Sequence, residues 1–208
     1  MAESTTKIMV WDAPTRVFHW LLVLSFAGAY LTAESERWAL THITLGYTMG
    51  GLVAFRVVWG ALGTRYARFS SFVRGPAAVI HYVRGLLRGK PEHFVGHNPA
   101  GAVAIVLLLV TSVTIVATGW AVYRELGGNL LGELHEAAAN AMLAVVGIHV
   151  AGVVVASRLH RENLVRSMVV GTKEGDPAQG IHRAWVVLAI VIVAAVMVFW
   201  GLQWSSMA

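Results

Sequence analysis

Two histidines, His135 and His149, stand in one apolar stretch, Gly132 to Ser157, with no charge between Glu136 and the end of that stretch. If the stretch is helical, the fourteen residues between them rise about 21 Å and turn about 1400°, roughly 40° short of four full turns. Both imidazoles then leave the helix on nearly one face. An ionisable side chain within a membrane span is costly and points to function. Two on one stripe, separated by most of a bilayer's thickness, suggest two ligand positions stacked across a membrane. Haem iron is the candidate ligand, because it takes imidazole axially and needs no charged protein group. The alternative is that both rings only hydrogen-bond to neighbouring helices.

The elements that would position them follow from composition. The chain has 208 residues, 57% hydrophobic and 13% charged, with a net charge of +5 and a mean hydropathy of +0.65. A soluble domain carries about a quarter charged residues, so this is expected to be a membrane protein. There is no cysteine, which excludes disulfides, thiolate metal sites, iron–sulfur clusters and thioether-attached haem. The N-terminus lacks the basic start, apolar middle and small-residue cleavage site of a signal peptide, so the first span is expected to insert uncleaved. The expected fold is all-α, one membrane-embedded helical bundle of a four-helix core plus a fifth C-terminal helix. Its spans run over about 17–33, 41–62, 99–123, 132–157 and 182–204. Residues 1–14 read as a polar lead with a turn at Asp12-Ala13-Pro14. PAAVIHYVRGLLRG, within the basic segment Gly63 to Asn98, reads as an amphipathic surface helix. His160 to Gly171 reads as a shorter basic amphipathic piece, and Thr172 to Gly180 as a polar linker. Gly46, Gly50 and Gly51 would let a partner helix or a flat macrocycle approach the second span, and ordinary small-residue packing explains them equally well.

Lysine and arginine set the orientation. They gather in the lead, the second-to-third loop and the fourth-to-fifth loop, whereas the other side has Arg37 and Arg124. The positive-inside rule therefore puts the N-terminus in the cytoplasm and the C-terminus outside. Anionic lipid explains the net charge, and no nucleic-acid partner is needed. This orientation sorts the nine histidines. His19 and His149 lie near the cytoplasmic ends of spans one and four, and His42 and His135 near the outer ends of spans two and four. The expectation is two pairs at two depths, His19 with His149 and His42 with His135, each holding one haem iron, with the irons about 20 Å apart. His81, His93, His97, His160 and His182 fall in cytoplasmic loops or interfacial segments and read as ordinary solvated or interfacial histidines. Arg16, Arg37, Arg56 and Arg158 stand where they could reach haem propionates, although arginines at span ends often only snorkel to headgroups.

Several stretches carry a family resemblance together and in order. They are Arg16-Val17-Phe18-His19-Trp20, Arg56-Val57-Val58-Trp59-Gly60, Arg65-Tyr66-Ala67-Arg68-Phe69, Gly96-His97-Asn98-Pro99-Ala100-Gly101 and the His135/His149 pair. Over about residues 10 to 170 the chain resembles the bacterial cytochrome b561 family, which includes the b-type cytochrome subunits of nickel–iron hydrogenases. The resemblance implies a four-helix core with two non-covalent b haems, ligated by histidines on the first, second and fourth spans; the matching positions are His19, His42, His135 and His149. It also implies electron transfer across a bacterial inner membrane between a quinone pool and a hydrogenase, another dehydrogenase or a c-type cytochrome. A quinone site is expected on the cytoplasmic side, near Arg16, Trp20, Arg158 and His160. The fifth span departs from the shortest members. A stand-alone superoxide- or ferric-reducing quinone oxidoreductase shares the haems and lacks only the partner. A histidine-based metal transporter would want carboxylates along its path, and spans one to four place none at mid-depth.

Overall fold

A computed structural model describes residues 6–90 and 92–205. Residues 1–5 of the polar lead, Pro91 in the second-to-third loop and residues 206–208 lie outside the described residues. The chain is an all-α membrane bundle. Its long helices are α1 (Ala13–Thr32), α2 (Ala39–Leu62), α5 (Pro99–Tyr123), α6 (Gly128–Leu159) and α8 (Val186–Ser205). Shorter helices α3 (Phe69–Phe72) and α4 (Pro76–Leu87) lie between α2 and α5, and α7 (Leu164–Val170) follows α6. The segments Glu36–Leu62, Pro99–Tyr123, Gly128–Leu159 and Val186–Ser205 are long and apolar enough to cross a membrane. At 20 residues α1 is about 30 Å long, which also matches the hydrocarbon core. Thr15, Arg16 and His19 in its first turns lower its hydropathy below that of the other four.

Caps explain where several helices start. Asp12 accepts a hydrogen bond from Thr15 N at 2.7 Å, and Asn98 accepts one from Gly101 N at 2.7 Å; Pro14 and Pro99 sit in the first turns, where no amide proton is needed. The first span therefore begins earlier than expected, at Ala13, and α6 extends beyond both ends of the expected fourth span. The last span begins later, at Val186, because Trp185 adopts a positive φ of 54°.

One departure concerns the segments expected to be a polar lead and a polar linker. Thr6–Met9 (β1) and Thr172–Gly175 (β2) pair as an antiparallel two-stranded sheet, with Thr6 opposite Gly175 and Met9 opposite Thr172. Ile8, Val10 and Trp11 form a small buried cluster covered by Tyr66, Val95 and Met168. The pairing gives the polar backbone of both segments partners and fastens the lead beneath the end of the bundle where the basic residues gather.

Within the bundle α1 packs on α2, α2 on α5, α5 on α6, and α8 on α1 and α2. Side chains rather than close backbone approach bring α6 to α1 and α2. Phe26, Met49, Ile115, Ala138 and Met142 form the buried mid-bundle core. Met142 lies midway between His135 and His149, so this apolar layer separates the two ends of α6. The three glycines of α2 differ in what they face. A Cβ on Gly50 would come within 3.0 Å of Val116 on α5, whereas Gly46 and Gly51 have open space around them. Gly46 borders a cavity, and Gly51 is exposed.

Candidate functional site

The histidines at the end of the bundle away from the basic residues are joined in one arrangement. His42, in the first turn of α2, and His135, near the start of α6, have ring centres 6.1 Å apart with planes at 75°. The Nδ1–H of His42 donates to Ala29 O at 2.9 Å, and that of His135 donates to Ile115 O at 3.0 Å. A carbonyl can only accept, so each ring holds its proton on Nδ1 and leaves Nε2 as a lone-pair donor. Two imidazoles on one iron, at bonds of about 2 Å, would have ring centres about 6 Å apart. Glycine makes room on α5, since a Cβ on Gly119 would lie 2.8 Å from His135 Cε1. The pair borders a cavity of about 610 Å³ whose lining includes Phe26, Gly46, Met49, Gly119, Trp120 and Ala139. Its volume and apolar walls suit a large cofactor, so this donor set fits a haem. The charged residues in the lining are Glu34 and Glu136. At the mouth Tyr30 OH donates to Asn140 Oδ1 at 2.8 Å, bridging α1 and α6.

At the basic end His19 on α1 and His149 on α6 lie within electrostatic reach of each other. His19 Nδ1 is buried and has no partner, as is Thr15 Oγ one turn earlier. A buried ring with an unsatisfied nitrogen requires an explanation, and ligation of a group between α1 and α6 supplies one. The donor set fits a second haem here as well.

Comparison with known proteins bears on what these pairs belong to. The family model for prokaryotic cytochrome b561 matches residues 10–171. The chain belongs to this family. It is similar to the probable Ni/Fe-hydrogenase B-type cytochrome subunit of Rhodobacter capsulatus, with 24% identity over 212 residues, covering 80% of this chain and 81% of that protein. The Escherichia coli K12 probable Ni/Fe-hydrogenase 1 B-type cytochrome subunit is 28% identical over 150 residues, 60% of this chain and 63% of its own length. The Azotobacter vinelandii probable Ni/Fe-hydrogenase B-type cytochrome subunit is 30% identical over 149 residues, 59% and 62% of the two lengths. The chain thus spans only about three fifths of the last two relatives. No solved structure matches it. As a b561-family member it is a membrane b-type cytochrome, and the group to be accommodated is haem b. The family match covers both histidine pairs and ends before β2 and α8.

The four arginines singled out as propionate partners are placed differently from one another. Arg56 is 3% exposed, with its guanidinium 4.7 Å from the Phe69 ring and Nη1 buried without a partner. Arg16 donates from Nη1 to Val169 O at 2.6 Å, while its Nε is buried and unpartnered. Arg37 is exposed over Trp38 at 5.6 Å, and Arg158 borders a surface groove with Ser157 and Arg161. Trp20 is also committed, donating from Nε1 to Met168 O at 3.3 Å.

His97 corrects the expectation of a solvated loop histidine. Its ring lies 4.6 Å from Trp11 and 4.6 Å from Phe72, and its Nδ1 is buried without a partner. Burial, with Arg56, Lys173, His149 and His19 nearby, pushes its pKa down to about 3, so the ring is neutral. Asp12 was expected only to mark a turn. It is 1% exposed, and beyond capping α1 it accepts from Trp59 Nε1 at 3.1 Å and Thr64 Oγ at 2.6 Å, tying α1 to the end of α2.

Proposed function

We propose that this cytochrome holds two haem b groups, one between His42 and His135 and one between His19 and His149. In this reading it carries electrons across the bacterial cytoplasmic membrane between quinone and a redox partner protein. The observation that carries this is the His42/His135 pair, with both Nδ1 atoms tied to backbone carbonyls and the ring centres 6.1 Å apart. Each haem iron, when bound, supplies a one-electron couple. The chain's part is to fix the rings and keep water out. Ala29 O and Ile115 O set ring orientation, and Phe26, Met49 and Met142 fill the layer between the two sites.

The lysine and arginine bias of the sequence supports a cytoplasmic side for the N-terminus and the basic loops. A quinone head near the cytoplasmic pair is supported by a groove of about 370 Å³, where Val153, Val154 and Val165 offer an apolar wall and Ser157, Arg158 and Asn163 polar groups. Relatives named as hydrogenase subunits support a hydrogenase as the partner; a dehydrogenase or c-type cytochrome would use the same haems. The test is a redox titration of membranes containing the chain. Quinol should reduce a low-spin b-type α band, and a quinol analogue should shift the spectrum or potential of the haem lost in His19→Ala. An α band that quinol does not reduce and an analogue does not perturb would remove quinone from the proposal.

A further inference from the structure

Charge bookkeeping at the basic end leaves three donors unaccounted for. Arg16 Nε, Arg56 Nη1 and His97 Nδ1 are all buried and lack hydrogen-bond partners. They belong to one continuous cluster. Trp11 N donates to Gly171 O at 3.0 Å, and a Cβ on Gly171 would stand 3.1 Å from Arg16 Nε and 2.8 Å from Trp11 O. Trp11 and Phe72 both pack against the His97 ring, each with centroids 4.6 Å away. Phe72 meets Phe69 at 5.9 Å, and Phe69 carries Arg56. His97 in turn lies within electrostatic reach of Arg56, His19 and His149.

The acids of this region do not answer these donors. Asp12 interacts electrostatically with Arg56, but its oxygens accept from Thr15, Trp59 and Thr64. Glu162 is taken by Lys173 at 3.0 Å and His93 at 3.1 Å. A buried guanidinium without an acceptor is strongly unfavourable. An anion with several acceptor oxygens would complete these donors, which no carboxylate among the described residues does, and guanidinium groups match a carboxylate in geometry as well as charge. The far-end cavity offers the opposite setting, with Glu34 and Glu136 as its charged lining.

We propose that Arg16, Arg56 and His97 form one anion cradle, and that its guest is the pair of propionate carboxylates of the haem held by His19 and His149. This rests on the reading of that pair as a haem site. It adds His97 as a cofactor-binding residue and assigns Arg16 and Arg56 to one haem. The neutral ring, packed at a tilt against Trp11 and Phe72, donates from Nδ1 to a propionate oxygen.

The test is a potentiometric titration of both haems in the full-length chain, with resonance Raman of the propionate bending mode. His97→Phe keeps an aromatic ring against Trp11 and Phe72 and removes the donor; Arg56→Gln removes a cation, and Arg56→Lys restores one. His97→Phe and Arg56→Gln should each lower the midpoint potential of the haem that His19→Ala abolishes. They should also shift its propionate band and leave the other haem's potential in place, with Arg56→Lys recovering most of the Arg56→Gln loss. If Arg56→Gln does not fold, His97→Phe alone decides. Two haems present with potential and propionate band unmoved in His97→Phe would overturn the cradle while leaving the haem pair standing. A stoichiometric phospholipid in the purified protein, lost on Arg56→Gln with no change in potential, would assign the cradle to a lipid phosphate and overturn the proposal. Wild-type protein with no haem that depends on His19 would overturn the underlying pair, and the cradle with it.

Discussion

His135 is held from two sides, by the carbonyl of Ile115 at 3.0 Å and by the missing side chain of Gly119. A Cβ there would stand 2.8 Å from His135 Cε1 and 3.1 Å from Nδ1. Because that ring cannot retreat without losing its carbonyl, Gly119→Val should remove the far-end haem and spare the other, leaving about half of the haem absorbance. Pyridine haemochrome quantification checks this, and undiminished haem content would show that the ring has room to move. Helical pitch and span direction sort His19, His42, His135 and His149 by face and depth from the sequence alone, and the structure brings the His42 and His135 rings to 6.1 Å. His97 was not legible. It stands in a loop, where no periodicity tells inside from outside, and its burial comes from Trp11 and Phe72, residues distant in the chain. The one local signal is its place before the Asn98 cap, which fixes it against the mouth of α5.

Two contacts decide how elements join. Asp12 caps α1 and takes hydrogen bonds from Trp59 and Thr64 at the end of α2. Losing a cap costs about 1 kcal/mol, and each further bond about 1 kcal/mol. Asp12→Ala should therefore destabilise the bundle by about 3 kcal/mol, as measured by thermal or SDS-induced unfolding; a loss well below 1 kcal/mol would mean that water replaces these contacts. Glu162 joins the segment bearing His93 to β2 through Lys173. Burial alone would raise its carboxyl pKa, but hydrogen bonds and charge from Lys173 and His93 outweigh this and hold it below the ordinary value of 4.5. A depressed carboxyl contributes stability above its unfolded pKa and loses it as pH falls through the folded one. Hydrogen-exchange protection in Thr172–Gly175, taken relative to the intrinsic rate at each pH, should thus fall as pH drops below the ordinary carboxylate value of 4.5, and Glu162→Gln should abolish that dependence. An acid response surviving in Glu162→Gln would place the sensitivity elsewhere. The long helices were readable from apolar length. The β1–β2 pair was not, because four residues per strand are too few to show alternation and the partners are more than 160 positions apart.

At the scale of the whole molecule, the basic residues gather at one end of the bundle and the paired histidines sit at two depths, separated by the layer of Phe26, Met49 and Met142. With five crossings the C-terminus after α8 should emerge on the periplasmic face. A C-terminal alkaline phosphatase fusion should be active and a C-terminal green fluorescent protein fusion dark, and the reverse would mean an even number of crossings or an inverted bundle. Family membership and the apolar helices make the chain a membrane cytochrome; what remains to be measured is how many haems it holds and which histidines hold them. Haem per chain in the purified wild type and in His19→Ala, His42→Ala, His135→Ala and His149→Ala, read with the reduced spectrum of each, tests this most directly. Two haems in the wild type and one in each variant are expected, with His42→Ala and His135→Ala losing one spectral component and His19→Ala and His149→Ala losing the other. One haem in the wild type, or different components lost by His42→Ala and His135→Ala, would contradict the two-site arrangement.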